Sequence, residues 1–275
     1  MQTTENFRER IYGVDFSGAR DAGRRMWVAG GVAEGDTLRI QTCHSADALP
    51  GSARSRDRCL AALWRFMAGE TDGVFGLDFP FGLPQQLVGQ RSCDDFVASF
   101  PGEYASPDEF RQFCRAAAGG RELKRVTDRE SKTPFAAYNI RLYRQTYFGI
   151  RDVLHPLVRD QLASVLPMQR RRADRPWVLE ICPASTLKVA GLYMSYKDGP
   201  YEHRAARECI LERLEATSAV SISTPAIREA VLDDRGGDAL DSVIAALATF
   251  RALCDPASLV VESGSPYALE GYVYV

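Results

Sequence analysis

The sequence has no Cys-x-x-Cys pair, only three histidines, no glycine-rich phosphate loop and no long apolar run. Each absence removes a class of protein. The seven cysteines (Cys43, Cys59, Cys93, Cys114, Cys182, Cys209 and Cys254) are odd in number and scattered. That spacing argues against a disulfide framework and against a zinc ribbon, and the expectation is free thiols in a reducing cytoplasm. His44, His155 and His203 have no ligand spacing. No stretch approaches the ~18 apolar residues that cross a bilayer, so no membrane partner is expected. The opening MQTTENFRER lacks the apolar core of a signal peptide. The motifs G-x-x-x-x-G-K-[ST], G-x-G-x-x-G and G-x-S-x-G are missing, and with them the signatures of a P-loop NTPase, a Rossmann dehydrogenase and an α/β-hydrolase. Charge of one sign is missing too: 34 basic residues face 36 acidic ones, a formal net charge of −2. Bulk charge therefore does not hold this chain to nucleic acid, which leaves only a local basic strip for that purpose.

What is present is ordinary globular material, 275 residues with 45% hydrophobic and 25% charged, consistent with a single α/β domain over 1–275. Short β-rich runs are expected at Arg10–Phe16, Met26–Ala33 and Thr37–His44, with Gly35-Asp36 forming a hairpin turn between the last two. Helical spacing follows over Ser52–Ala68, where Cys59, Leu60, Leu63, Trp64 and Met67 share a face. Another strand is expected at Gly73–Phe79. Residues 84–172 then turn aromatic and arginine-rich without a strand pattern, and read as an α-helical insertion. A strand returns at Trp177–Cys182. A charged helix covers 202–216, an apolar helix runs from Asp238 to Leu253, and a short strand closes the chain at Gly271–Val275.

The informative residues are acids where apolar side chains belong. Asp15 interrupts IYGVDFSG, Asp78 interrupts GVFGLDFPFG and Glu180 interrupts WVLEIC. Central strands of a covered sheet read as apolar runs, and a carboxylate there is costly without a compensating partner or metal. Each Asp alone can equally be a turn former at a strand end. Three of them near the ends of short strands can line one sheet edge. Asp238 and Asp241, three apart, share a helix face that continues through Ala245, Ala248 and Ala252, small enough to lie close to a sheet. The same two acids also suit the first turn of any helix. Clustered carboxylates raise one another's pKa. Hard divalent cations such as Mg²⁺ or Mn²⁺ relieve that repulsion, and two ions about 4 Å apart form the clamp used for displacement at phosphorus. Asp15 is the expected bridging ligand.

The pattern GVDFSGA … GLDFPFGLP … LEICPAS … GGDALDSVIAAL … EGYVYV, from about residue 11 to the C-terminus, resembles a widespread, largely uncharacterised domain family described as predicted nucleases of ribonuclease H-like fold. That resemblance implies a mixed five-stranded sheet flanked by helices. The ribonuclease H superfamily, Holliday-junction resolvases included, places acids on its first strand, its fourth strand and a late helix. By resemblance, Asp15, Asp78 and Asp238 or Asp241 become catalytic metal ligands, with Glu180 a further ligand or a supporting group. The implied activity is phosphodiester hydrolysis on DNA or RNA, with water as nucleophile and products bearing a 5′-phosphate and a 3′-hydroxyl.

Further residues are candidates for substrate contact. Ser17 leaves room for metal or phosphate, and Lys188, Lys197 and Arg207 follow the Glu180 strand. Arg141 lies among Tyr138, Tyr143, Tyr147, Phe148, Arg144 and Arg151, an interleaving that fits either base stacking or a packed helical hairpin. Two basic runs, Arg170-Arg171-Arg172 with Arg175, and Arg121, Lys124, Arg125 and Lys132, are either phosphate contacts or solvated faces. Two other readings remain open. One is a phosphotransferase of the actin/sugar-kinase type, with Gly236-Gly237 as a faint nucleotide loop. The other is a non-catalytic binding module that keeps its acids for stability.

Overall fold

The first three apolar runs pair as an antiparallel meander: β1 (Arg10–Asp15), β2 (Trp27–Glu34) and β3 (Thr37–Ser45). Gly35, at φ 62°, makes the tight β2–β3 turn, a backbone conformation that glycine adopts without strain. This arrangement comes from a computed structural model that describes residues 8–197, 201–217, 219–262 and 264–275. Most of the polar N-terminal segment, residues 1–7, lies outside the described residues. A helix, Arg56–Gly69, leads to β4 (Gly73–Leu77), which lies parallel to β1 on the side away from β2.

β6 (Trp177–Ile181) adds in parallel beside β4. Two short strands, β5 (Ser164–Leu166) and β8 (Val273–Tyr274), follow one another along the outer side of β6. β7 (Val220–Ile222) extends the opposite edge beside β3. Among the described residues the sheet therefore has eight strands, in the order β5-β6-β4-β1-β2-β3-β7 with β8 on β6, where five were expected. The closing strand at 271–275 is present as β8. β5 and β7, at three residues each, are too short to leave an alternating pattern. Because β5 falls within 84–172, that segment is not wholly helical.

Each face of the sheet carries its own apolar layer. On one face, Val14, Phe75 and Leu77 pack with the Arg56–Gly69 helix and with the aromatics of the insertion, including Phe96, Phe100, Phe110 and Tyr147. Tyr138, Tyr143, Tyr147 and Phe148 are all buried there, so these rings are packing material and not a stacking platform for bases. On the other face lies the Asp238–Cys254 helix, almost wholly buried, flanked by the helices Tyr201–Ala216 and Pro225–Asp233. Its close seat depends on two register partners, Gly13 of β1 and Gly76 of β4. A Cβ on Gly13 would lie 2.1 Å from the backbone of Ala246, and one on Gly76 would lie 1.9 Å from Thr249 Oγ1. Among the described residues, no helix is long and apolar enough to cross a membrane.

Candidate functional site

β1, β4 and β6 run in the same direction, so their C-terminal ends share one edge. Asp15 is the last residue of β1 and Asp78 follows the last residue of β4, its N–H donating to the Val14 carbonyl at 3.0 Å. The register pairs Val14 with Leu77 and Leu77 with Glu180. Since side chains alternate along a strand, Glu180 shares the face of Val14 and Leu77. Asp15 has the opposite parity and faces the Asp238–Cys254 helix. That helix, seated on Gly13 and Gly76, delivers Asp238 and Asp241 from its first turn.

The four aspartates line a cleft of about 670 Å³. Asp15 is 7% exposed. Burial pushes its pKa well above the usual carboxylate value; Lys197 opposes that shift, and Asp241, Asp238 and Asp78 reinforce it. Asp78 is pushed up to about 7, first by burial and then by Asp241, again against Lys197. Neither carboxylate accepts a hydrogen bond or makes an ion pair among the described residues. Asp241 is in the contrary state. Its Oδ1 accepts from the Tyr196 hydroxyl at 2.5 Å and its Oδ2 pairs with the Lys197 ammonium. Lys197 Nζ also stands 3.9 Å from Asp238 Oδ1. Burial alone would lower the Lys197 pKa, but Asp241, Asp15 and Asp238 together hold it above the usual lysine value.

Glu180 is committed elsewhere. Arg125, 1% exposed, grips its carboxylate through both terminal nitrogens, one of them 2.8 Å from Oε2. The Phe81 N–H adds a third hydrogen bond at 2.9 Å. The same guanidinium reaches Asp128 at 2.8 Å and the Glu270 carbonyl at 2.8 Å. This buried assembly ties the insertion to β6 and to the C-terminal segment. Breaking such a buried pair by removing one partner costs about 3–5 kcal/mol. Burial leaves the Glu180 pKa raised in spite of Arg125. A buried acid on a central strand signals a buried cation, but sequence spacing gives no way to select Arg125, 55 residues away.

The cleft rim carries Ser17, Arg25, Arg141 and Arg144. The insertion brings its arginines there because its backbone packs on the loop after β1: Gln145 Nε2 donates to the Phe16 carbonyl at 2.6 Å, and a Cβ on Gly18 would meet the Arg144 carbonyl at 2.7 Å. Lys197 lines the cleft, whereas Lys188 and Arg207 do not. Lys188 donates to the Lys132 carbonyl at 3.0 Å. Arg207 is buried and donates to the carbonyls of Tyr196 (2.7 Å) and Leu232 (2.9 Å), a bracket behind the Tyr196-Lys197 pair. Of the basic runs, Arg125 is spent on Glu180, Lys124 donates to the Thr133 carbonyl at 2.6 Å, and Arg172 and Arg175 pair with Asp174. Sequence reasoning missed Tyr196 and Arg25, which belong to no recognisable motif.

Among the described residues, no three His, Cys, Asp or Glu side chains are grouped to hold one metal ion; Lys197 stands among Asp15, Asp238 and Asp241. No curated protein and no solved structure matches the chain. The family described as "Protein of unknown function (DUF429)" matches residues 13–263. With well over half of its length matched, the chain belongs to that family.

Proposed function

We propose that this chain is a divalent-metal-dependent nuclease that hydrolyses a phosphodiester bond in the Asp15 cleft. The observation that carries the reading is the state of Asp15. It is more than nine-tenths buried, lines an open cleft and has neither a hydrogen bond nor an ion pair among the described residues. A buried carboxylate in that state is destabilising until a cation compensates it. Asp78 beside it likewise has no hydrogen bond or ion pair to its carboxylate among the described residues. Hard oxygen donors with no histidine or thiolate among the unspent acids fit Mg²⁺ or Mn²⁺. The strand order supports a ribonuclease H-like reading of the sheet: a three-strand meander, two parallel strands beyond β1 and a late helix carrying acids.

In this reading Asp15 and Asp78 would hold the ion. Bound there, Mg²⁺ or Mn²⁺ would supply Lewis acidity and a coordinated water of lowered pKa. The guanidinium groups of Arg25, Arg141 and Arg144 grip phosphates of the strand through paired N–H donors. The Ser17 hydroxyl donates to a phosphate oxygen. Lys197 neutralises Asp241 and limits repulsion between the acids and the incoming phosphate. The products carry a 5′-phosphate and a 3′-hydroxyl. The kinase reading finds no nucleotide loop at Gly236-Gly237. Gly237, at φ 74°, begins the Asp238–Cys254 helix, and a Cβ there would lie 3.0 Å from the Tyr196 ring.

The test is cleavage of end-labelled single-stranded and duplex oligonucleotides with Mg²⁺ or Mn²⁺. Asp15→Asn should reduce metal-dependent cleavage to background, with an unchanged circular dichroism spectrum and no loss of thermal stability. Full metal-dependent activity in that variant would refute the assignment.

A further inference from the structure

The aspartate cluster already contains one cation. Lys197 pairs with Asp241 Oδ2 and stands 3.9 Å from Asp238 Oδ1. Its position is built into the fold. The Tyr196 hydroxyl caps the other oxygen of Asp241 at 2.5 Å. Arg207 holds the Tyr196 carbonyl at 2.7 Å, and the His203 ring nitrogen Nδ1 lies 2.6 Å from the Lys197 carbonyl. The absence of a side chain at Gly237 lets the Lys197 stem and the Tyr196 ring lie against the start of the Asp238–Cys254 helix. A surface lysine held only by chance contacts would not have its own backbone and its neighbour's ring fixed in this way.

The cluster is thereby divided in two. Asp241, with Asp238 beside it, is served by an ammonium group. Asp15 and Asp78 feel the Lys197 charge only at a distance; among the described residues neither makes an ion pair, and Asp15, 7% exposed, is without a hydrogen bond and lines the cleft. Two carboxylates, completed by waters and substrate phosphate oxygens, are what Mg²⁺ usually takes from a protein. A second ion about 4 Å from the first, the spacing of two-metal sites, would need Asp241, whose oxygens are both engaged.

We propose that Lys197 is a built-in cation standing in place of one of the two divalent ions, so that the cleft takes a single divalent ion on Asp15 and Asp78. This rests on the metal-dependent reading above and specifies how that site is charged. Lys197 also presents its ammonium to the phosphate that such a second ion would otherwise neutralise.

The experiment is calorimetric titration of the whole chain with Mn²⁺ alone, with Mn²⁺ electron paramagnetic resonance as a second count of bound ions. Wild type should bind one Mn²⁺ and Lys197→Met two, since removal of the ammonium releases Asp241 Oδ2. Lys197→Arg should keep the count at one. Asp241, its side chain only 4% exposed, loses its ion-pair partner in Lys197→Met, so thermal melting confirms folding of that variant before its ions are counted. Two ions in wild type would overturn this proposal while leaving the metal-dependent reading standing. Any count other than two in a folded Lys197→Met variant would also overturn it. No Mn²⁺ bound by wild type would overturn the metal-dependent reading, and this proposal with it.

Discussion

Asp78 sits where its negative charge is costly, and that cost is measurable without any substrate. Burial first, and Asp241 next, raise its pKa from 3.8 to about 7. The folded chain therefore keeps a proton that the unfolded chain releases near pH 4. The stability tied to that proton is whole below the unfolded pKa and is lost as pH climbs through about 7. In metal-free buffer, urea denaturation should show wild type losing stability relative to Asp78→Asn between about pH 5 and pH 8. An equal difference at both pH values would refute the shift. Asp15 is moved in the same direction, so the variant should flatten the pH dependence without abolishing it. Glu180 shows the limit of reading such acids from sequence. It interrupts an apolar strand just as Asp15 does, but its register with Leu77 turns it toward the insertion and Arg125. Both acids line the cleft; one residue of strand parity separates the one without an ion pair from the one held by a buried guanidinium, and parity is fixed by pairing partners that lie far away along the chain.

At the scale of elements, the Asp238–Cys254 helix decides whether the cleft exists, because it carries Asp238 and Asp241 to the sheet edge. Gly13 and Gly76 are where it rests. Gly13→Ala would place a Cβ against helix backbone, which no rotamer change can relieve. The expected cost is about 1–3 kcal/mol or more from overpacking, together with loss of the Asp78 pH signature as the first turn moves away. Gly102→Ala is the control. Gly102 lies in the Cys93–Glu103 helix with open space at its Cβ position, so alanine should be neutral or stabilising by roughly 0.5–1 kcal/mol. Urea denaturation of both variants separates the two cases; similar stabilities would show that the helix can retreat without penalty. Strands β1 to β4, β6 and the late helix were readable in the sequence because each has a run long enough to show its period. The special role of Gly13 was not, since a glycine in a strand carries no sign of what packs over it. The insertion was readable as helical and aromatic, but periodicity does not distinguish rings that pack inward from rings that stack on a ligand. The burial of Tyr138 and Tyr147 decides that point.

For the molecule as a whole, the proposed nuclease function combined with a net charge of −2 would leave the work of attracting a polyanion to the cleft rim. Arg25 and Arg144 keep 63% and 53% of their side chains exposed beside the acids, and Arg141 is exposed as well. The acids repel a phosphate backbone, and the rim must outweigh them. If the nuclease reading is correct, affinity for a single strand will fall steeply with salt, because each neutralised phosphate releases condensed counterions. In an Asp15→Asn background, which binds without cutting, Arg25→Ala, Arg141→Ala and Arg144→Ala should each lower the slope of log affinity against log salt by roughly 0.7 on single strands. The triple variant should lose about 2 in slope. Arg170→Ala, which lines a different hollow, should leave it unchanged. Fluorescence anisotropy across a salt series reads these slopes directly. A triple variant with the wild-type slope would show that the polyanion does not lie across this rim, and a slope lowered equally by Arg170→Ala would mean that general surface charge, and not the cleft, does the attracting.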